Sequence, residues 1–246
     1  MHGYAKMNWV IRPKKIFLDL VYVSLGLTLI NAALLLAGWL TGHTYMLGFM
    51  ELFNTGKESN IPTWFSSFML LLAAVFLHII TFMKQSGRER HVLHWRILSI
   101  IFLYLSIDEA SSVHERLGVL IGRVLNLQVL ITYGWLVPGV IVAAIVALLF
   151  VPFLINLPPT IRRLFIIAGV LYLGGASGME AVSLKWGLTY GMGTIHYRLL
   201  TTIEEFLEMM GTVVFIYALT LYIAEHITKN RLVVQFMMSD DTDRYS

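Results

Sequence analysis

The sequence contains no cysteine. Disulfides, thiolate-held metals and cysteine nucleophiles are therefore excluded. Charge is also scarce: Asp, Glu, Lys and Arg make up 13% of the chain, where a soluble domain carries about 25%. Only 6 of 246 residues are proline, and no Pro-, Gly- or Ser-rich linker divides the chain. A single domain over residues 1–246 is the expectation. The sequence has no Gly-rich phosphate loop and no Ser–His–Asp spacing, and its 12 methionines are scattered without a copper-type motif. What is plentiful is apolar: 57% of residues are hydrophobic and the mean hydropathy is +0.73. This is the composition of an integral membrane protein.

Six apolar segments approach or exceed the ~20 residues that cross a bilayer. They are placed at 16–40, 62–83, 95–115, 133–155, 164–186 and 197–224, which predicts an all-α, six-helix membrane bundle. Pro138 would kink the fourth helix. Met1–Lys15 is polar and basic, and the apolar run after it is long enough to span, so no cleavable signal is expected. The net charge of +3 sits in short inter-helix loops, which makes it a topology signal and not a sign of a nucleic-acid partner. One side holds Lys6, Arg12, Lys14, Lys15, Lys84, Arg88, Arg90, Arg96, Arg162, Arg163, Lys229, Arg231 and Arg244. The other holds Lys57, Arg116, Arg123, Lys185 and Arg198. By the positive-inside rule both termini are cytoplasmic. Residues 45–50 and 117–125 are expected to lie along the outer interface, and the acidic tail 239–246 to be disordered.

Seven acids interrupt the predicted helices or lie at their outer ends: Asp108, Glu109 and Glu115 on the third, Glu180 on the fifth, and Glu204, Glu205 and Glu208 on the sixth. A charge at the bilayer centre costs roughly 2.5–3.5 kcal/mol even on the mildest scale. At ~1.5 Å per residue all three sets fall in the outer half, so one shared site is expected. Glu204 and Glu205 flank Glu208 on one arc, and Asp108, Ser111, Ser112 and Glu115 form a stripe with Glu109 beside it. His114 joins that stripe only if the helix breaks near Val113. The small run Gly174-Gly175-Ala176-Ser177-Gly178 would let the fifth helix approach closely and deliver Glu180. Ser106-Ile107-Asp108-Glu109 echoes Thr202-Ile203-Glu204-Glu205, as an inverted repeat of three helices each would require.

Against these acids stand only Arg116, Lys185 and Arg198, which leaves a formal deficit that two divalent cations or several shared protons would fill. Carboxylates with one imidazole suit Fe, Mn, Mg or Ca, with Zn also allowed. The predicted metal set is Asp108, Glu109, His114, Glu115, Glu180, Glu204, Glu205 and Glu208. Bundles holding two metals use inward Glu and Glu-x-x-His motifs, and the nearest equivalents here are Glu205-x-x-Glu208 and Glu109 with His114-Glu115. Tyr104, Tyr172 and Tyr197 are expected in packing or an aromatic belt, His78 in packing, and His91 and His94 in a solvated loop.

The motifs Ser106-Ile107-Asp108-Glu109-Ala110-x-x-x-His114-Glu115, Gly174-Gly175-Ala176-x-Gly178-x-Glu180 and Thr202-x-Glu204-Glu205-x-x-Glu208-Met209-x-Gly211 resemble a family of uncharacterised bacterial multi-pass membrane proteins. The resemblance implies a shared fold and acidic centre, a cytoplasmic-membrane location, and no assigned activity. The chain does not resemble the ceramidase or progestin-receptor type, whose zinc needs three histidines; only His114 and His196 lie near this centre. The leading functional expectation is a metal-dependent membrane enzyme with one or two Fe, Mn or Zn ions, acting on a lipid or quinone-like substrate. Oxidation by a di-iron-type centre is favoured over hydrolysis because carboxylates outnumber imidazole. The rivals are a proton- or cation-coupled transporter and a non-catalytic subunit of a larger membrane complex; a homo-oligomer fits any of these.

Overall fold

The computed structural model describes residues 7–9, 12–42, 48–87, 90–126, 134–227 and 232–234. Its helices are α1 (Pro13–Thr41), the short α2 (Phe49–Leu52), α3 (Ile61–Ser86), α4 (Val92–Ser111) and α5 (Val113–Val124). They continue with α6 (Leu136–Ile155), α7 (Pro159–Leu173), α8 (Glu180–Tyr190) and α9 (Ile195–Tyr222). A π-helical turn, Gly174–Met179, joins α7 to α8 without a break, and a second, Ile223–Ile227, extends α9. Five of these helical segments are long and apolar enough to cross a membrane, and a sixth span is completed if α4 and α5 are counted together. One departure from all-helical structure is a short ribbon in which β1 (Met7–Trp9) pairs antiparallel with β2 (Leu232–Val234). That pairing puts the N- and C-terminal parts of the chain at the same end of the bundle. The predicted acidic tail and residues 45–47 of the first predicted interfacial segment lie outside the described residues.

Local sequence explains where helices begin. Pro stands in the first turn of α1, α3 and α7, where its missing N–H costs nothing. Asn60 caps α3 by accepting the Thr63 N–H at 3.1 Å, and Thr194 caps α9 by accepting the Tyr197 N–H at 3.3 Å. Pro138 likewise falls in the first turn of α6 and does not kink a helix interior; the proline inside that helix is Pro152. The third predicted helix is not straight. It breaks at Ser112, a non-glycine residue at φ 49° and ψ 42°, and α5 leaves at 79° to α4. Glu115 therefore belongs to α5. The second segment predicted to lie along the interface is the remainder of that bent-aside helix.

Helix α9 is the hub. It packs against α1, α3, α7, α8 and the first π turn, and 67% of its most apolar window is buried, against 11% for the peripheral α6. The half of the bundle nearest the terminal ribbon is closed by aromatic side chains. Trp95 meets Phe153 at 5.0 Å and Tyr222 at 4.9 Å, and Phe215 meets Phe102 at 4.4 Å and Phe165 at 4.8 Å between ring centroids. His94 is drawn into this cluster, with its ring stacked on Phe153 at 5.4 Å. It is not the solvated loop residue expected, because Phe150 and Phe153 of α6 cover it. His78 is exposed on α3 and not packed.

In the other half, two glycines bring backbones into contact. A Cβ at Gly175 would lie 2.7 Å from the Glu204 carbonyl oxygen and 3.1 Å from the Glu208 nitrogen. One at Gly211 would lie 2.6 Å from the Tyr172 nitrogen and 2.9 Å from the Ala168 oxygen. Backbone cannot yield as a flexible side chain does. Gly175→Ala and Gly211→Ala are each expected to destabilise the bundle by about 1–3 kcal/mol, the usual range for overpacking. Gly174→Ala, which would meet nothing within 4 Å, should not. Unfolding of the detergent-solubilised chain followed by circular dichroism checks this.

Candidate carboxylate centre

Close approach of α7, the π turn and α9 leaves a small cavity between them and the α3–α4 pair. It is lined by Ser66, Leu70, Glu109, Tyr172, Glu205, Glu208, Met209 and Thr212. About 10 Å³ is open to the centre of a water-sized sphere, which is room for about one water. Three carboxylates, a phenol and two hydroxyls thus converge on one small space. No Lys or Arg among the described residues forms an ion pair with any of the seven acids. The expected neutralisation by Arg116, Lys185 and Arg198 is not made.

A second layer surrounds the cavity on the side where α5 turns away. The break at Ser112 lets Asp108 reach His114: Asp108 Oδ1 accepts the His114 backbone N–H at 2.8 Å, and Oδ2 pairs with His114 Nδ1 at 2.5 Å. On an unbroken helix, residues six apart stand about 120° away from each other at ~100° per residue. The pair therefore depends on the break. Asp108 is 7% exposed, so its carboxylate is committed to this local contact. His114 in turn lies within the electrostatic reach of Glu115 and Glu180. Glu204 turns away from the cavity to accept a hydrogen bond from Ser183 Oγ at 2.8 Å. Glu115 is exposed.

Two contributors were not anticipated, Glu58 and Asn31, and a third, Tyr172, was expected in packing or an aromatic belt. Glu58, in the loop before α3, reaches the mouth of the cluster. Its carboxyl is held above the ordinary range, first by desolvation and then by Glu115, while Arg116 and His114 oppose the shift. Tyr172 lines the cavity and is not mere packing. Asn31, 2% exposed in the middle of α1, donates to Thr55 Oγ1 at 2.9 Å and Thr202 Oγ1 at 2.8 Å. It ties α1, the loop before α3 and α9 together beside the acidic run. A lone Asn in an apolar helix was the available signal for it. For Glu58 and Tyr172 nothing in the local sequence separates them from a surface acid and a packing tyrosine.

Of the eight predicted ligands, then, Glu109, Glu205 and Glu208 meet at the cavity. Asp108 and His114 form a pair beside it. Glu204 and Glu180 lie near each other, the first bonded to Ser183, and Glu115 stands outermost. Among the described residues no three His, Asp or Glu side chains already stand in a metal-binding arrangement.

Fold and site together define an all-α bundle with five or six helices of membrane-spanning length around a carboxylate centre. The chain belongs to the family described as a domain of unknown function, DUF8692, which matches residues 22–223. No curated protein and no solved structure matches the chain.

Ser112 provides a test of the geometry. A non-glycine residue in the left-handed region costs about 1–2 kcal/mol. Ser112→Gly should therefore leave stability unchanged or raise it, and Ser112→Val, β-branched and still less suited to this region, should lower it. Asp108→Asn should keep the contact to the His114 N–H but weaken the ring contact. Thermal unfolding gives the first result, and imidazole nitrogen shifts in NMR give the second.

Proposed function

We propose that this is a membrane enzyme whose carboxylate centre holds one divalent cation and acts on a lipid or quinone-like substrate. The observation that carries the reading is the cavity itself. Glu109, Glu205 and Glu208 converge on a space the size of one water with no basic partner, and carboxylates so enclosed require a cation or shared protons. Oxygen donors of this kind suit a hard ion such as Fe(II), Mn(II) or Mg(II) better than a soft one. The donors are chemically apt but not preassembled, so binding would draw the three side chains inward. The volume supports one ion more than the two expected of a di-iron-type centre. His114, oriented by Asp108, would serve at the mouth, where a second layer that fixes an imidazole is commonly found beside a metal. The scarcity of imidazole favours oxidation over hydrolysis. With the termini facing the cytoplasm, as the distribution of Lys and Arg indicates, the site opens in the outer half of the bilayer.

Conduction is the weaker reading. Beyond the cavity, α9 continues as Val213, Val214, Phe215, Ile216, Ala218 and Leu219, all buried against apolar neighbours. The hydroxyl of Thr220 is occupied by the Ile216 carbonyl at 3.0 Å. A proton or cation relay would need polar steps through this half.

Metal analysis of the detergent-purified chain tests the proposal. About one Fe or Mn per chain is expected after supplementation, and the dissociation constant should rise at least tenfold, or about 1.4 kcal/mol of affinity, in Glu205→Gln/Glu208→Gln. Circular dichroism should stay unchanged in that variant. Absence of stoichiometric metal after supplementation with Fe, Mn and Zn overturns the proposal.

A further inference from the structure

A second cavity lies at the opposite end of the bundle, far from the carboxylates and beside the terminal ribbon. It is an open groove between the start of α1 and the end of α9, about 390 Å³ in volume, lined by Arg12, Pro13, Lys14, Tyr217, Leu221, Ala224 and Glu225. The volume falls in the range of ~300–1,000 Å³ typical of ligand pockets. Its walls are graded. Tyr217, Leu221, Ala224 and Glu225 are spaced four, seven and eight residues along one face of the helix and its π-helical extension, and at ~1.5 Å per residue the apolar floor runs about 12 Å inward from the charged rim. Arg12, Lys14 and Glu225 are all exposed at that rim. Among the described residues these charges form no ion pair, although both signs line one groove.

We propose that this groove binds an amino-phospholipid of the membrane, with a phosphate between Arg12 and Lys14, its primary ammonium on Glu225, and an acyl chain along Ala224, Leu221 and Tyr217. Guanidinium and ammonium groups at the edge of a membrane helix are the usual partners of a lipid phosphate. They alone would favour any anionic lipid. Glu225 sets the choice: it repels a purely anionic headgroup and accepts hydrogen bonds from an ammonium that still carries N–H. A methylated choline headgroup has the charge but not the donors. The unpaired charges of opposite sign therefore match a zwitterionic headgroup with a free amine, and the apolar floor lies where its chain would run. The proposal is independent of the carboxylate centre and of any metal there.

Native mass spectrometry of the full chain in detergent tests it, with phosphatidylethanolamine, phosphatidylglycerol and phosphatidylcholine of matched chains added in turn. The ethanolamine lipid should be retained at least about fivefold better than the other two, a difference of roughly 1 kcal/mol. Arg12→Ala/Lys14→Ala should reduce retention of all three lipids. Glu225→Gln should abolish the preference without reducing phosphatidylglycerol binding. These side chains are at the surface, so the fold is expected to survive each change, and circular dichroism verifies that. Stronger retention of phosphatidylglycerol by the unaltered chain overturns the proposal. So does equal retention of all three lipids, or a preference that persists in Glu225→Gln.

Discussion

The structure depends on enclosing Glu205 and Glu208 on its most buried helix without a basic side chain to pair with them. Two charges in a low-dielectric setting repel strongly, and desolvation alone is worth several kcal/mol per ion. The bundle meets this constraint with backbone proximity and hydroxyls. Gly175 and Gly211 let α7 and the π turn close on α9, which keeps bulk water out. Ser183 takes the neighbouring Glu204, and Thr212 and Ser66 line the remaining space. The π turn belongs to the same solution. One extra residue in a turn rotates the rest of the helix by about 100°. Glu180 and Ser183, on the helix that continues from it, are thereby turned toward Glu204.

Helix α9 is divided along its length. From Thr201 to Gly211 three acids, two threonines and a glycine alternate with apolar residues; beyond Thr212 it is an apolar hub under Trp95, Phe102, Phe153 and Phe165. The two halves need each other. The aromatic half supplies the packing that holds α3, α4 and α7 around α9. That scaffold then fixes the acids in a space that solvent would otherwise fill.

Much of this was legible from hydropathy and charge. Most of each predicted span is helical among the described residues, but the third is broken at Ser112; runs of about twenty apolar residues have few alternatives to a helix in a bilayer. That acids of the third and sixth spans share a site was expected from their depth and helical faces, and Glu109, Glu205 and Glu208 do line one cavity. What could not be read was which acid goes where. Asp108 was placed on the stripe and Glu204 on the arc as an equal of Glu205, yet each is spent on a nearby donor, while Glu109, placed beside the stripe, lines the cavity. Helical arcs assume straight helices, and the break at Ser112 carries no proline or glycine to announce it. Glu58 was missed for a related reason: a loop residue's neighbours are set by tertiary closure, here fastened by Asn31 through Thr55.

The echo between Ser106–Glu109 and Thr202–Glu205 gains content once the side chains are placed. Ser106 and Thr202 are both buried, Ile107 and Ile203 are both exposed, and Glu109 and Glu205 both line the cavity. Each hydroxyl also joins its helix to a neighbour, Ser106 with Ser67 on α3 and Thr202 with Asn31 on α1. The two stretches part at the third position. Asp108 has a short side chain that reaches backbone close by, and Asx groups compete with helical hydrogen bonding in this way; its helix ends within one turn and α5 departs. Glu204, one methylene longer, reaches across to Ser183 on α8, and its helix runs on unbroken. One methylene therefore accompanies the difference between a wall that continues and a wall that turns aside. The side that turns aside is where His114, Glu115 and Glu58 gather, so two similar stretches end differently beside one cavity.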